Sequence, residues 1–292
     1  MNNNLRIGID LGGTKIECVV LENHQEIFRK RIATESAKGA EHIINQIKKI
    51  YGEALNYINN ADHKLGICSP GSISQKTGLL RNSNTTCLNG LPLSQMLEDK
   101  LNHQLLIEND ANCFALAEAT LGAGQDYECV FGIIMGTGCG GGFVFNKRVR
   151  QGPNLISGEW GHSILHTEGL NCYCGKMGCV EKYISGGGIA SILKENNINL
   201  SANDFFNKSY FNKNEKKIYE KFLDDFGQAV SNVINSFDPD VIILGGGLSN
   251  ISALYSEGVD KIKQNTFSDS FKTRILPNQL GDSSGVIGAA ML

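Results

Sequence analysis

The sequence predicts an α/β protein of two lobes with a cleft between them, and three observations lead to this prediction. Short β-rich runs alternate along the chain with segments whose apolar residues recur at helical spacing. A strand, glycine turn and strand occur at 5–22 and again at 128–145, which indicates two related halves. Glycines at 122 and 124 interrupt the pattern, and there we expect the chain to cross between lobes.

The expected elements follow from hydrophobic periodicity and from turn residues. Strands are expected at 5–10, 16–22, 25–33, 63–69, 105–110, 128–135, 142–145 and 240–247. Helices are expected at 39–60, 111–119, 183–194, 214–236 and 249–265, with a short capped helix near the C-terminal end. We therefore assign 1–119 to a small N-terminal lobe, joined by the helix 283–292, and 120–282 to a larger C-terminal lobe.

Composition excludes several classes of function. The 292 residues include 41% hydrophobic and 20% charged residues, a balance that predicts a soluble globular protein with a large hydrophobic core. A net charge of -3 with scattered Lys and Arg supplies no basic surface for nucleic acid. The start lacks a signal sequence, and no apolar run is long enough for a membrane span, so we expect a cytoplasmic protein.

The glycine turns are the first candidate site. The turn Gly12-Gly13-Thr14-Lys15 offers backbone amides, a hydroxyl and a cation to the phosphates of a nucleotide such as ATP. A second turn begins Gly136-Thr137-Gly138 and matches GxGxxG, but a strand follows it, which argues against a dinucleotide fingerprint. Gly245, Gly246 and Gly247 end another strand and would let adenine approach the backbone. Each turn taken alone is also compatible with a plain hairpin.

Two aspartates are candidates for phosphoryl transfer. Asp110 stands where a strand ends and a helix begins, and transfer to an alcohol needs a carboxylate that accepts the hydroxyl proton. Asp10 ends the first strand beside the phosphate turn and is expected to hold Mg²⁺ through water. The alternatives are that Asp110 caps the helix and that Asp10 is an ordinary turn residue.

A metal site is predicted from ligand spacing. His162, Cys172, Cys174 and Cys179 form H-x9-C-x-C-x4-C, a closed set of four ligands typical of structural Zn²⁺. Free thiols beside a chance histidine are the alternative. The metal would fix the nearby carboxylates of Glu159 and Glu181, which suit the hydroxyls of a sugar. Loss of the metal should then weaken sugar affinity far more than ATP affinity.

The opposite wall of the sugar pocket is expected in two polar segments. One is Ser69-Pro70-Gly71-Ser72, and the other is the loop at 82–90, NSNTTCLNG. Both are equally compatible with solvated turns.

Seven motifs together resemble the ROK family of bacterial sugar kinases and related repressors. They are DLGGTK (10–15), ENDANCFALAE (108–118), GTGCGGG (136–142), GEWGH (158–162), CYCGKMGCVE (172–181), DPDVIILGGG (238–247) and GDSSGVIGAA (281–290). The resemblance runs from residue 6 to the end and implies the actin-like (ribonuclease H-like) ATPase fold.

The resemblance also implies roles for individual residues. Asp110 would be the catalytic base, and Thr14, Lys15 and Thr137 would face the phosphates. The sugar contacts would come from Asn84, Asn109, Glu159, His162 and Glu181, with His162 binding zinc through one ring nitrogen while lying against the sugar. The partners would be a small-molecule sugar and ATP, and a homodimer is one assembly that we allow for.

Within the family, the chain looks most like the fructokinase (manno-fructokinase) branch. PGSIS (70–74), the loop at 82–90, GEWGH and CYCG carry this likeness, whereas Cys87 stands where that branch tends to carry Trp. The expected reaction is ATP-dependent phosphorylation of fructose, and of mannose as a second substrate, to the 6-phosphate. The alternatives are an N-acetylglucosamine kinase and a sugar-responsive repressor, which would need a helix-turn-helix ahead of the first strand.

Overall fold

The computed structural model describes residues 4–292, which divide into two compact units. The first unit comprises the described residues up to Gly122 with Pro153–Leu155 and Leu280–Leu292, and the second comprises Ala123–Gly152 and Ile156–Gln279. The strands are β1 (Leu5–Leu11), β2 (Lys15–Glu22), β3 (Gln25–Ala33), β4 (Lys64–Ser69), β5 (Ser72–Ile73), β6 (Leu80–Arg81), β7 (Leu106–Asn109), β8 (Cys129–Met135), β9 (Cys139–Phe145), β10 (Arg148–Val149), β11 (Val241–Gly245) and β12 (Arg274–Pro277). The α-helices are α1 (Ala40–Tyr57), α2 (Leu93–Leu101), α3 (Asp110–Leu121), α4 (Glu181–Ile184), α5 (Gly186–Glu195), α6 (Ala202–Phe206), α7 (Lys213–Phe237), α8 (Glu257–Asn265) and α9 (Ser284–Met291).

Each unit is built on a five-stranded sheet, and the two sheets share one strand order. That order is β3-β2-β1-β4-β7 in the first unit and β10-β9-β8-β11-β12 in the second. In both sheets the first three strands are antiparallel neighbours, and the last two are added in parallel. The shared topology confirms the repeat predicted from the two strand, turn and strand units.

The sheet of the first unit is covered by helices on both faces. Side chains alternate along β2, so that Cys18 and Val20 join the core with α1, whereas Val19 and Leu21 pack with α3 and α9. All four are buried, which explains why β2 reads as a continuous apolar run rather than an alternating one.

Glycines in β1 and β4 let α9 lie directly on this sheet. A Cβ atom on Gly8 would lie 2.2 Å from the carbonyl oxygen of Val286, and one on Gly66 would lie 1.9 Å from that of Ala289. The Arg6 guanidinium donates a hydrogen bond of 3.1 Å to the carbonyl of Leu292, beyond the end of α9. The helix at the end of the sequence is therefore an integral part of the first unit.

The second unit packs its longest helix, α7, against the second sheet and the helices that follow β9. Phe222 and Phe226 of α7 are buried in one core with Phe131 of β8. A capping box between Asn212 and Glu215 begins α7, which explains its well-defined start. None of the helices within residues 4–292 combines the length and apolar character needed to cross a bilayer.

The structure corrects several boundaries. The predicted helix 183–194 is two helices, because the Ser185 side chain accepts a hydrogen bond from the Gly188 amide and starts α5 anew. The predicted helix 249–265 is two 3-10 turns followed by α8. The predicted strand at 142–145 begins at Cys139, and the C-terminal helix lacks a side-chain N-cap. Helices α2 and α6 and strand β12 were not predicted.

Candidate active site and metal centre

The first glycine turn, between β1 and β2, has its carbonyl groups bound from behind. The Thr34 hydroxyl donates to the carbonyl of Gly12 at 2.7 Å, and the Thr34 amide donates to the carbonyl of Thr14 at 2.9 Å. Because the C=O and N–H of one planar peptide point in opposite directions, the Gly13 amide is directed away from Thr34. Within residues 4–292 this amide has no acceptor, so it is available to an anion.

The second glycine turn, between β8 and β9, is built in the same way. The first amides of α5 bind its carbonyls: Gly186 donates to Gly136 at 2.7 Å, and Gly187 donates to Thr137 at 3.1 Å. The amides of Thr137 and Gly138 are therefore directed away from α5, and neither has an acceptor in the described part of the chain. Since β9 rather than a helix follows, the turn is not a dinucleotide fingerprint, as predicted.

The third glycine set lies at the end of β11, beside the second turn. Gly246 has φ +81°, and a Cβ there would lie 2.6 Å from the Met135 carbonyl at the end of β8. Gly246 and Gly247 are both exposed. An uncovered backbone of this kind is compatible with a flat aromatic ring, and the approach of adenine to it stays a prediction.

Asp110 begins α3 but does not cap it. Asn109 is the N-cap, because its side chain accepts a hydrogen bond of 2.7 Å from the Asn112 amide. The Asp110 carboxylate accepts from the neighbouring Ala111 amide at 2.9 Å in a partly buried contact, although the residue as a whole is exposed. The alternative that Asp110 serves as the helix cap is therefore wrong.

The surroundings of Asp110 favour proton acceptance. Desolvation by the protein around the carboxylate raises the pKa of Asp110, and hydrogen bonds from the amides of Ala111 and of Asp110 itself oppose part of that rise. A carboxylate with a raised pKa is a stronger base than an ordinary one, provided that it is ionised at the working pH.

Asp10 lies at the edge of the same sheet and interacts electrostatically with Asp110. Burial raises the pKa of Asp10, and the charges of Asp110 and Glu17 raise it further, while a hydrogen bond with the Cys68 thiol and the charge of Lys15 lower it. The Asp10 carboxylate, whose ionisation the charge of Asp110 disfavours, offers the hard oxygen ligands that Mg²⁺ prefers. Asp10 therefore fits the magnesium ion that the sequence predicted.

Gly285, in the first turn of α9, leaves room for the Asp10 carboxylate, which lies close against its backbone. A Cβ on Gly285 would lie 2.9 Å from Asp10 Oδ2 and 3.4 Å from Cys68 Sγ. We expect Gly285→Ala to displace the Asp10 carboxylate, to raise the Mg²⁺ concentration needed for half-maximal activity roughly tenfold, and to destabilise the protein by about 1–3 kcal/mol. Magnesium titrations of ATP turnover and thermal melts measure the two effects.

Gly52 provides the matched control for that substitution. It lies within α1, and a Cβ there would meet nothing within 4 Å. Gly52→Ala should keep the wild-type magnesium dependence and gain up to about 1 kcal/mol of stability, because alanine favours the helix. An unchanged magnesium dependence in Gly285→Ala would rule out the proposed positioning role.

The four predicted metal ligands come together. One donor atom each from His162, Cys172, Cys174 and Cys179 lies within 4.8 Å of every other. Cys174 Sγ lies 3.6 Å from Cys179 Sγ, and Cys172 Sγ lies 3.7 Å from His162 Nδ1. A tetrahedral zinc with bonds of about 2.3 Å to sulfur places its ligand atoms about 3.8 Å apart, whereas a disulfide needs about 2.05 Å. The donor set fits zinc and excludes a disulfide in this arrangement.

The loop that carries the cysteines is shaped by glycines and short backbone bridges. Gly175 and Gly178 have φ of +87° and +73°, values that L side chains rarely adopt. The Cys172 amide donates to the Lys176 carbonyl at 2.9 Å, which closes the turn between the cysteines. Local backbone structure therefore brings these thiols to one side of the loop.

His162 uses its two ring nitrogens differently. Nδ1 faces the thiols, while Nε2 lies 3.1 Å from the hydroxyl of Tyr173, whose side chain is 81% exposed. A tyrosine hydroxyl at the second nitrogen fixes the orientation and the tautomer of a metal-bound histidine. The sequence did not single out Tyr173, although its place between two cysteine ligands was a usable signal.

The two carboxylates that flank the metal loop differ in their surroundings. Glu159 is exposed at the start of a 3-10 turn. Glu181 instead accepts a hydrogen bond of 3.0 Å from the Cys139 amide, immediately after the second glycine turn. The structure thus gives Glu181 a partner that the sequence did not predict, and its contact with a sugar stays a prediction.

The loop at 82–90 is held by its own hydrogen bonds. Asn89 both accepts from the Ser83 amide and donates to the Ser83 carbonyl, each at 2.9 Å, which leaves Asn84 exposed. Gly71 packs against this segment, since a Cβ on it would lie 2.4 Å from the Arg81 carbonyl. The loop therefore has a fixed structure, and the sugar contacts of Gly71 and Asn84 remain predictions.

Thr85 is a candidate that the sequence analysis did not single out. Its hydroxyl is buried without a hydrogen-bond partner among residues 4–292, and it lies 3.7 Å from the position of a Gly13 Cβ. A buried hydroxyl beside an anion-binding turn is suited to a phosphate oxygen. No periodicity or spacing in the sequence marks this residue, because the contact joins distant segments.

The chain is a two-unit α/β protein in which each unit has a glycine turn with outward-directed amides, and the second unit has four side chains that could hold a metal ion. Over residues 6–292 the sequence matches the ROK family, and the chain belongs to that family. This confirms the family and the actin-like (ribonuclease H-like) fold that the motifs predicted.

Individual relatives extend this comparison. The chain is 35% identical over 310 residues to the N-acetyl-D-glucosamine kinase of Histophilus somni (strain 129Pt), covering 98% of this chain and 97% of the relative. The solved ROK hexokinase from Thermus thermophilus has a TM-score of 0.89 at 26% identity and covers 98% of this chain and 97% of that one. The ROK family glucokinase from Streptomyces griseus, in complex with glucose and AMPPNP, has a TM-score of 0.74 at 26% identity, with 98% of each chain covered.

Proposed function

We propose that this protein is an ATP-dependent sugar kinase. The observation that carries the proposal is the construction of the two glycine turns, in which bound carbonyls direct the amides of Gly13, Thr137 and Gly138 outward. Each of these turns suits the phosphate oxygens of a nucleotide, and the Asp110 carboxylate supplies the base that transfer to an alcohol requires.

In the proposed reaction, Asp110 accepts the proton of the sugar hydroxyl while the hydroxyl oxygen attacks the γ-phosphorus of ATP, and ADP leaves. The Gly13 amide and the Lys15 ammonium would bind phosphate oxygens, as would the amides of Thr137 and Gly138. Asp10 would hold Mg²⁺, which supplies neutralisation of the phosphate charge.

The proposed metal of the cysteine centre is Zn²⁺ with a structural role. Three thiolates and one imidazole fill a tetrahedral site and leave no position for a substrate. His162, Cys172, Cys174 and Cys179 would hold the ion, and its contribution is the fixed arrangement of the loop at 159–181.

The proposed sugar is N-acetylglucosamine rather than fructose. This choice rests on relatives of 33–35% identity over 98% of the chain that are N-acetyl-D-glucosamine kinases. Fructose remains the second candidate, because PGSIS (70–74) and the loop at 82–90 resemble the fructokinase branch. Cys87, where that branch tends to carry Trp, counts against it.

A substrate panel tests both the reaction and the sugar. We expect ADP release with the highest kcat/KM for N-acetylglucosamine among N-acetylglucosamine, N-acetylmannosamine, glucose, mannose and fructose, by roughly tenfold or more. The phosphorus spectrum of the product should show a 6-phosphate. A clear preference for fructose would reverse the choice of sugar, and ADP release with none of the five would contradict the proposed kinase.

A further inference from the structure

The segment that follows the last metal ligand binds the second glycine turn through hydrogen bonds. Two residues after Cys179, Glu181 Oε2 accepts the Cys139 amide at 3.0 Å, and a Cβ on Gly138 would lie only 2.5 Å from this oxygen. Further along, the amides at the start of α5 bind the carbonyls at 136 and 137 at 2.7 and 3.1 Å. Three hydrogen bonds from residues 181–187 therefore fix the turn.

The segment that precedes the first metal ligand contacts β9, the strand that follows the second glycine turn. The buried Trp160 donates from Nε1 to the Gly140 carbonyl at 3.2 Å. Gly161, next to His162, lies so close to β9 that a Cβ on it would be 2.0 Å from the Cys139 carbonyl. Both segments thus bind the start of β9. Glu181 binds the amide of Cys139, and Trp160 binds the carbonyl of Gly140.

The metal centre joins these two segments. His162 ends the first segment and Cys179 begins the second, and the Val180 amide donates to the Ser163 carbonyl at 2.9 Å between them. Cys172 and Cys174 would complete a closed set of four ligands around one ion. An ion there would add four metal–ligand bonds to a junction that backbone hydrogen bonds, such as that from the Leu165 amide to the Gly178 carbonyl at 2.7 Å, already connect.

We infer that the metal centre fixes the position of the nucleotide-binding turn. Glu181 is the positioning residue that connects the metal loop to this turn and so orients the amides of Thr137 and Gly138. The inference rests on the proposed function, since it assumes that this turn binds nucleotide phosphates. It assigns Glu181 a role toward ATP in addition to the sugar contact implied by the family resemblance.

Electrostatics alone would give the opposite result. A carboxylate near bound phosphates repels them, so its removal would tighten nucleotide binding. The hydrogen bond to the Cys139 amide instead holds the turn in its binding conformation, and losing a bond to a charged acceptor weakens the ordered state. The sign of the change in nucleotide affinity therefore decides between the two effects.

Three variants test the inference. Glu181→Ala should raise the Kd for ADP roughly tenfold, because the turn loses one charge-assisted hydrogen bond. Glu181→Gln keeps an acceptor oxygen for the Cys139 amide and should stay within about threefold of wild type. Glu159→Ala is the matched control on the other side of the metal loop, and it should leave the Kd for ADP within about twofold while weakening sugar binding. Calorimetry with ADP measures all three, after metal content has been shown to equal that of wild type.

A second readout needs no nucleotide. Hydrogen exchange of the amides at 136–142 should be faster in Glu181→Ala than in wild type and in Glu159→Ala, since the turn is less firmly held. Gly138→Ala provides an independent route if Glu181→Ala does not fold, because its Cβ would push against Glu181 Oε2. It should also accelerate exchange at 136–142.

The outcomes separate the inference from the proposed function. Equal ADP affinity and equal hydrogen exchange in Glu181→Ala and Glu159→Ala would contradict the inferred positioning of the turn by the metal centre and Glu181. Tighter ADP binding in Glu181→Ala would contradict it as well. A wild-type protein that binds no ADP would instead overturn the proposed function. Faster exchange at 136–142 in that case would still support the structural link between Glu181 and the turn.

Discussion

Asp110→Asn should lower kcat by roughly 10³–10⁴-fold while leaving the Kd for sugar close to that of wild type. Asparagine keeps an acceptor oxygen for the Ala111 amide, which lies 2.9 Å from the Asp110 carboxylate, but it cannot take a proton from the sugar hydroxyl. Loss of the base and disturbed positioning of the hydroxyl together account for the magnitude. Stopped assays of ADP release and calorimetry with sugar separate turnover from binding.

Glu108→Gln is the matched control, since it makes the same change of charge two residues earlier at the end of β7. Glu108 Oε1 accepts hydrogen bonds from the Asn109 amide and from the Asn112 side-chain amide, and the side-chain oxygen of glutamine can accept both in the same space. It should keep turnover within about tenfold of wild type. Near-normal turnover in Asp110→Asn would remove Asp110 from the role of base.

Asp110→Asn should also make the protein more stable at neutral pH. Because desolvation raises the pKa of Asp110, the folded protein holds this proton more tightly than the unfolded chain does. Ionisation of Asp110 therefore costs stability as pH rises above the unfolded value of about 3.9, and asparagine removes that cost. Melting temperatures of Asp110→Asn should exceed those of wild type at pH 7.5, with a smaller difference near pH 4, where the unfolded chain is itself about half protonated at this residue. A lower melting temperature at pH 7.5 would contradict the raised pKa.

Cys174→Ala should cost the protein its metal and should weaken the binding of both substrates. Cys174 is exposed, so its truncation removes a ligand with little change in packing. We expect zinc content well below one per chain, and a loss of roughly 3 kcal/mol or more, equivalent to about 5–10 °C in Tm. The sequence predicted that sugar affinity would fall far more than ATP affinity, whereas the contacts of residues 181–187 with the second glycine turn predict a fall in both.

Cys87→Ala is the control for the metal, because Cys87 is also an exposed thiol but lies outside the donor set. It should retain wild-type zinc content and melting temperature. Elemental analysis, thermal melts and calorimetry with ADP and with sugar complete the comparison. ADP affinity unchanged in metal-free Cys174→Ala would argue against the coupling of the metal to the nucleotide turn.

Local patterns in the sequence predicted much of the fold and the metal centre. The paired glycine hairpins, the buried strand at 240–247 and the ligands of the cysteine cluster depend on residues that are close in sequence, so spacing alone reveals them. Helix α2 was missed although Leu93, Leu97 and Leu101 recur at helical spacing, because Pro92 and the polar loop before it resemble a continuing turn.

Contacts between distant segments were beyond the reach of sequence patterns. The bond from the Cys139 amide to Glu181 joins residues 42 positions apart, and nothing near either residue indicates the pairing. Tertiary packing likewise buries the Thr85 hydroxyl without a hydrogen-bond partner among residues 4–292, and it brings Gly285 against Asp10. The choice of sugar also depends on such contacts, which explains why motifs shared by several branches of the family did not determine it.

The direct packing of α9 on β1 and β4 has a consequence for folding during synthesis. The contacts of Gly8 and Gly66 with α9 form only after α9 has left the ribosome, and the whole sequence of the second unit is translated before it. Of the two helices that pack on this face of the first sheet, only α3 has been made while residues 123–279 emerge. Until α9 arrives, part of the apolar face of β1, β2 and β4 stays exposed to misassociation and open to chaperone binding.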